Sequence, residues 1–212
     1  MSGSLRLGIL VSGGGRTMLN IADCIERGTL AATVRVVISS RAEAPAVHRA
    51  RERGLDVRVA ARSDFAGEDE MHDVITSWLL EGLVDLVCLA GYLRWFRVDP
   101  SFKNRVMNLH PALLPDFGGH GMYGATVHRA VLDSGATVSG CTVHFVDDRY
   151  DHGPIILQRT CPVLPGDDAN HLAGRVFEQE LIAYPHAIGL FATDRLSIRD
   201  GSVNILAETS YP

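Results

Sequence analysis

The sequence predicts an α/β fold built on a mixed, mostly parallel sheet, and three observations carry that prediction. Through the first half, short apolar runs rich in β-branched residues alternate with segments of helical periodicity, the pattern of repeated strand–helix units. The first run, Leu5 to Val11, ends in the glycine-rich turn Ser12-Gly-Gly-Gly-Arg-Thr17 and passes straight into a helical pattern. Later, two strand-like runs, Thr137 to Asp147 and Ile155 to Val163, flank a polar turn and read as an antiparallel hairpin. A hairpin after parallel units makes the sheet mixed, with helices expected on both faces.

The remaining elements follow in order. Met18, Leu19, Ile21, Ala22 and Ile25 share one face of the first helix. Thr33 to Ser39 is a second strand, and Ala42 to Arg53 a helix closed by Gly54. Asp56 to Ala60 is a short third strand, and Ser63 to Asp69 is turn-like. Glu70 to Glu81 is a helix with Met71, Val74, Ile75, Trp78 and Leu79 inward, stopped by Gly82. Val84 to Ala90 is nearly all apolar and reads as a central strand covered on both faces. After a strand from Arg105 to Leu109 comes a long loop, Asp116 to Gly124, with four glycines, and then a helix from Ala125 to Ser134. The Gly166-Asp-Asp168 sequence caps a long helix from about Asn170 to Phe191, in which Pro185 predicts a kink or break. A small hairpin and a ragged end complete the chain.

Composition narrows the function. Hydrophobic residues make up 46% of the 212, enough for one core without staples, and the net charge of −5 argues against a general nucleic-acid binder. None of the four cysteines forms a Cys-x-x-Cys pair; Cys88 and Cys141 sit in apolar strands and read as reduced core thiols. The polar Met1-Ser-Gly-Ser start is no signal peptide, and no apolar run is long enough to span a membrane, so a cytoplasmic protein is expected. The sequence contains no linker dividing the chain. One domain is expected over 1–212, with a phosphate-binding half at about 1–100 and a catalytic half at about 101–212.

Chemistry concentrates in three places. The glycine turn offers backbone N–H groups at a helix start, where an anion is favoured, and Arg16 and Thr17 add donors. The spacing is not Gly-x-Gly-x-x-Gly and there is no Walker lysine, so a phosphate ligand other than a dinucleotide or ATP is expected; a turn needed only for packing is the alternative. Leu93, Arg94, Trp95 and Phe96 follow the end of a sheet strand, where ligands of open α/β sheets bind; a loop packed back on the core, with Arg94 solvated, is the alternative. Asn108 and His110 stand two apart at the end of the strand beginning at Val106, on the same face. An amide donor beside an imidazole can stabilise developing negative charge and move a proton, although these residues alone also fit an ordinary strand end. Asp151 lies in a polar turn able to aim its carboxylate at a cleft; an ordinary turn aspartate is the alternative. A His110 imidazolium needs such a neighbour to be favoured.

Three motifs in this order resemble one family over nearly the whole chain: Asn108-Leu-His110-Pro-Ala-Leu-Leu-Pro115, Gly140-Cys-Thr-Val-His144-Phe-Val, and Asp151-His-Gly-Pro-Ile-Ile-Leu-Gln158. They look like the phosphoribosylglycinamide (GAR) formyltransferases, members of the 10-formyltetrahydrofolate-dependent formyltransferase superfamily with a single-domain Rossmann-like fold. The resemblance implies formyl transfer from 10-formyltetrahydrofolate, as co-substrate, to the amine of 5′-phosphoribosylglycinamide, in purine synthesis. It implies Asn108, His110 and Asp151 as catalytic residues; Gly15, Arg16 and Thr17 for the substrate phosphate; and Glu180 for its ribose. It implies Leu93, Arg94, Trp95 and Phe96, with Asp147, Asp148, Arg149 and Tyr150, for the folate. It implies no metal, no nucleic acid, no membrane, and a monomer or homodimer. The chain departs from the family pattern in its longer loop after Pro115 and in Leu181, where many relatives have His.

Other readings stay in view. A transferase acting on initiator tRNA would need a basic surface and a C-terminal extension. A formyltetrahydrofolate hydrolase would carry an N-terminal regulatory domain. A nicotinamide dehydrogenase would want an acidic residue where Ser39-Ser-Arg41 stands. A non-catalytic nucleotide-binding module leaves the combination of Asn108, His110 and Asp151 unexplained.

Overall fold

Strand β1 (Leu5–Val11) shows why the sheet lies inside: Leu7, Ile9, Leu10 and Val11 are all fully buried, and consecutive strand residues point to opposite faces. Both faces of β1 are therefore covered, as the continuous apolar run requires. The computed structural model describes residues 4–207. Among them, a seven-stranded sheet runs in the order β3-β2-β1-β4-β5-β6-β7, with a separate two-stranded sheet, β8-β9. The chain divides into two compact units after Met107.

In the first unit, β1 pairs in parallel with β2 (Ala32–Ser39) and with β4 (Leu86–Leu89), and β2 pairs in parallel with β3 (Val57–Val59). Helices α1 (Arg16–Glu26), α2 (Pro45–Glu52) and α3 (Glu68–Glu81) pack against β2. The buried side of α1 is Met18, Ile21, Ala22 and Cys24, so Cys24 takes the place expected of Ile25. Helix α2 starts at Pro45, three residues later than its periodicity suggests. Proline suits the first helical turn, and the residue before it is driven extended, as Ala44 is at φ −62, ψ 130.

Strand β5 (Val106–His110) crosses the boundary between the units, its last three residues in the second. There, β6 (Val138–Phe145) and β7 (Ile155–Pro162) form the expected antiparallel hairpin. Helix α4 (Ala125–Asp133) packs against α5 (Ala169–Ala192), which also covers β6 and β7. Asp168 caps α5 by accepting from the backbone N–H groups of Asn170 and His171, at 2.8 Å each. Pro185 does not break α5: the helix is continuous through it. One missing backbone bond is outweighed by burial on either side, with Ala183, Tyr184, Ala187 and Ile188 fully enclosed. The small terminal hairpin, β8 (Leu196–Arg199) with β9 (Ser202–Ile205), is present, and the expected ragged end falls outside the described residues. All four cysteines are buried and free. Among the described residues, no helix is long and apolar enough to cross a membrane.

Candidate active site

In the second unit the segment after β5 is held by a buried hydroxyl. Thr142 Oγ1 accepts from the Leu114 N–H (3.0 Å) and from Gln158 Nε2 (2.9 Å), and donates to the Ala112 carbonyl (2.7 Å). Gln158 Nε2 also reaches the Leu114 carbonyl at 2.8 Å. Thr142 and Gln158 are register partners across the hairpin, which is why both belong to the motifs: together they tie the His110-Pro-Ala-Leu-Leu114 run to β6 and β7. Thr142 and His144 share a face of β6, so the alternation that presents this anchor also presents an imidazole.

Asp151 sits at the turn of the hairpin in a left-handed conformation, φ 50. Two residues on, Gly153 packs so tightly that a Cβ would stand 2.0 Å from the Phe145 carbonyl, so only glycine lets the turn close there. Asp151 Oδ1 accepts from Asn108 Nδ2 at 3.2 Å, and Oδ2 faces His110 Nδ1 at 3.4 Å. Asp151, more than forty residues on from Asn108 and His110, therefore forms one cluster with them. His110 is only 3% exposed and the Asp151 side chain 12%, so their charges act with little solvent between them.

The cluster has members that residue typing missed. His144 Nε2 lies 3.1 Å from Asn108 Nδ2 and 3.6 Å from Asp151 Oδ1. Its Nδ1 donates to the Phe145 carbonyl at 2.8 Å, which turns Nε2 toward Asn108 and Asp151. The glycine-rich loop contributes two backbone groups: the Phe117 carbonyl accepts from His110 Nε2 (2.8 Å), and the Gly119 N–H donates to Asp151 Oδ2 (3.0 Å). The alternation of β6 marked His144; no residue type marks a backbone group.

Electrostatics bears on the charge of His110. Burial pushes the His110 pKa down, and this outweighs the charge of Asp151 and the Phe117 carbonyl, which both push it up; His144 adds to the depression. The neutral imidazole is thus favoured, a charge state the sequence left open. Burial alone would raise the Asp151 carboxyl, but His144, His110 and the Gly119 N–H together hold it below its ordinary value, and it is ionised. Tucked on α4, His128 is 5% exposed with no hydrogen-bond partner for Nδ1, and burial followed by the nearby His110 lowers its pKa.

The remaining residues singled out by sequence fall as follows. In the first unit, Gly15 is in the left-handed region, φ 74, and a Cβ there would stand 2.8 Å from that of Ala46. Helix α1 starts directly after it, leaving the first-turn N–H groups of Arg16 and Thr17 at the end that favours anions. Arg16 is exposed and Thr17 half-buried. Ser12 Oγ lies 2.6 Å from Ser40 Oγ and accepts from the Leu93 N–H at 2.9 Å, tying the glycine turn to the Leu93–Phe96 segment. Leu93 is exposed, Arg94 and Trp95 half-buried, and Phe96 buried edge-on against Tyr92 and His72. The Trp95 carbonyl accepts from His72 Nε2 at 3.1 Å, fixing this segment on α3.

In the second unit, Asp147 accepts from the Arg149 N–H (2.8 Å) and pairs with His152 (2.7 Å), whose other nitrogen lies 3.1 Å from Arg149 Nη1. Asp148 is exposed, and Tyr150 meets His120 of the glycine-rich loop edge to face, ring centroids 5.4 Å apart. Glu180 is half-buried on α5. After burial, it is the next cause raising the Cys141 thiol to about 12, which keeps that cysteine inert.

Comparison with known proteins agrees with this architecture. The family model described as formyl transferase matches residues 5–188. The chain is 33% identical over 197 residues to phosphoribosylglycinamide formyltransferase of Haemophilus influenzae, covering 92% of this chain and 91% of that protein. It is 36% identical over 213 residues to the chloroplastic phosphoribosylglycinamide formyltransferase of Vigna unguiculata, covering 98% of this chain and 67% of the relative. Among solved structures, glycinamide ribonucleotide transformylase 1 from Symbiobacterium toebii superposes with a TM-score of 0.91 at 40% identity, covering 98% of this chain and 96% of that one.

Proposed function

The chain belongs to the formyl transferase family, among the phosphoribosylglycinamide formyltransferases, and from that premise we propose that it moves a formyl group from 10-formyltetrahydrofolate to the amine of 5′-phosphoribosylglycinamide. The observation that carries the reading is the cluster of Asn108, His110 and Asp151, in which a neutral donor and a proton carrier lie 3.2 and 3.4 Å from one ionised carboxylate.

The roles follow from those groups. As the amine adds to the formyl carbon, negative charge grows on the formyl oxygen. Asn108 donates an N–H to that oxygen, exchanging one of its present partners for it. Asp151, ionised, takes up the proton the amine must lose, and passes it to His110 Nδ1. His110 becomes charged only as the oxygen does. A neutral resting imidazole thus avoids the cost of holding a buried cation before the reaction starts. The proton then leaves for the nitrogen that gives up the formyl group, and the cluster returns to its starting state. Gly15, Arg16 and Thr17 are proposed to hold the substrate phosphate, supported by the helix start at Arg16, and Glu180 the ribose. For the folate, Leu93 to Phe96 and Asp147 to Tyr150 are the proposed contacts. The half-buried Arg94 and Trp95 and the exposed Tyr150 are suited to a flat, partly polar ligand.

The test follows loss of formyl from 10-formyltetrahydrofolate with and without phosphoribosylglycinamide. The expected result is turnover that depends on the amine and yields one formylated product per tetrahydrofolate. Equal loss without the amine would point to a hydrolase, and no loss in either case to a binding module.

A further inference from the structure

We infer that the backbone from Phe117 to Gly119 is a positioning element that fixes which nitrogen of His110 carries the proton, and so leaves Nδ1 bare toward Asp151. The inference rests on assigning His110 and Asp151 to the formyl-transfer site, and it adds to that site groups that no side chain could reveal.

A carbonyl oxygen only accepts. The 2.8 Å contact between His110 Nε2 and the Phe117 carbonyl therefore places a hydrogen on Nε2. A neutral imidazole has one N–H, so Nδ1 carries a lone pair, and it faces Asp151 Oδ2 at 3.4 Å. The same oxygen accepts the Gly119 N–H at 3.0 Å, while Oδ1 accepts from Asn108 and faces His144 Nε2. Among the described residues, the titratable groups acting on His110 are Asp151, His144 and His128, and those acting on Asp151 are His110 and His144. Both loop groups are then engaged, and in this form of the ring no hydrogen stands in the gap between His110 Nδ1 and Asp151 Oδ2. A proton can lodge there without moving any other group.

The transfer needs such a place. The bond from the amine nitrogen to the formyl carbon forms, the bond from that carbon to the donor nitrogen breaks, and one proton passes from the first nitrogen to the second. The gap receives it in between, and the net proton count is zero. Were the neutral His110 hydrogen on Nδ1 instead, the gap would already be filled.

Sequence makes this geometry possible at Gly118. A Cβ there would stand 2.5 Å from Leu114 Cδ2 and 3.2 Å from Asp151 Cβ, so the missing side chain lets the loop lie directly on the carboxylate residue. Phe117 (φ 56) and Gly119 (φ 101) both take the left-handed region on either side of it.

The test has a spectroscopic and a kinetic arm. The full chain, labelled with ¹⁵N-histidine, is examined by long-range ¹H–¹⁵N correlation, with the His110 ring assigned by its absence from His110→Gln. At a pH where His110 is neutral, the expected form has hydrogen on Nε2; hydrogen on Nδ1 overturns the inference, and this needs no variant of the loop. In Gly118→Ala, the expected result is a mixture of the two forms and a kcat lowered by roughly ten- to a hundredfold. KM for both substrates should stay near wild type. The acid limb of kcat/KM should move to higher pH, because Asp151 loses the Gly119 N–H. A folded Gly118→Ala protein with an unchanged ring form and an unchanged limb also overturns it. Failure of the function reading looks different: the ring form would be as expected, with no formyl transfer to the amine.

Discussion

The two glycine-rich connections, one in each unit, do opposite things with the same residue. In the first unit, Gly13 to Gly15 is a short turn that ends a strand and starts α1 at once. Gly15 is needed there because φ is positive and because Ala46 of α2, whose N–H donates to the Gly13 carbonyl at 3.1 Å, leaves no room for a side chain. In the second unit, the loop from Asp116 to Gly124 turns back on residues distant in sequence. It bonds His110 seven residues before Phe117 and Asp151 thirty-two after Gly119. The first connection leaves first-turn N–H groups of a helix for the ligand phosphate proposed above. The second bonds His110 and Asp151, the proposed catalytic side chains, through a carbonyl and an N–H. A glycine-rich stretch thus signals close backbone approach, and only the fold says what approaches.

That contrast can be broken at graded cost. Asn108→Ala removes the donor proposed for the formyl oxygen and strips one partner from Asp151; kcat should fall by roughly a hundred- to a thousandfold, measured under saturating substrates. In the first unit the expected damage is to folding and binding rather than to the chemical step. Gly15→Ala forces a left-handed alanine against Ala46 and should lose about 1–3 kcal/mol of stability in denaturant titration, with a raised KM for the phosphorylated substrate. Unchanged stability would show that the turn relaxes freely.

Stability against pH tests the buried histidines of the second unit. His110 and His128 are both held below the ordinary value of 6.5, chiefly by burial. The unfolded chain therefore binds more protons than the folded one as pH falls through that value. Stability should drop there and level off below the folded pKa values, while the Asp151 contribution is lost only in a more acid range. His128→Leu, which also removes an unpartnered Nδ1, should make the fall in Tm between about pH 7 and pH 5 shallower. An unchanged slope would clear His128 of that role. The smallest effect is expected of Arg16→Ala. An exposed charge at the glycine turn should change KM for the phosphorylated substrate by no more than about fivefold and leave kcat alone. No change in KM would mean that the side chain makes no contact.

The sequence carried a good deal of this, for identifiable reasons. Strand β1, the glycine turn and α1 were legible because local patterning sets them. Helix α2 was overextended because its apolar period continues back past Pro45, where backbone sterics rule. Helix α5 runs unbroken through Pro185 for the opposite reason: tertiary burial around Tyr184 and Ile188 outweighs a local rule. Asn108, His110 and Asp151 were found through residue type and motif, and they do meet. Their surroundings were not legible. The groups from Phe117 and Gly119 are backbone atoms that any residue supplies, and the charge of His110 depends on how much burial outweighs Asp151, which only packing decides.

In the proposed mechanism the carboxylate of Asp151 assists charge development and proton movement rather than holding substrate. The direct measurement is kcat for Asp151→Asn beside the Kd of each substrate for the same protein. The expected result is a fall in kcat of at least about a hundred- to a thousandfold, with both affinities close to wild type. Near-normal kcat, or a loss confined to binding, would contradict it.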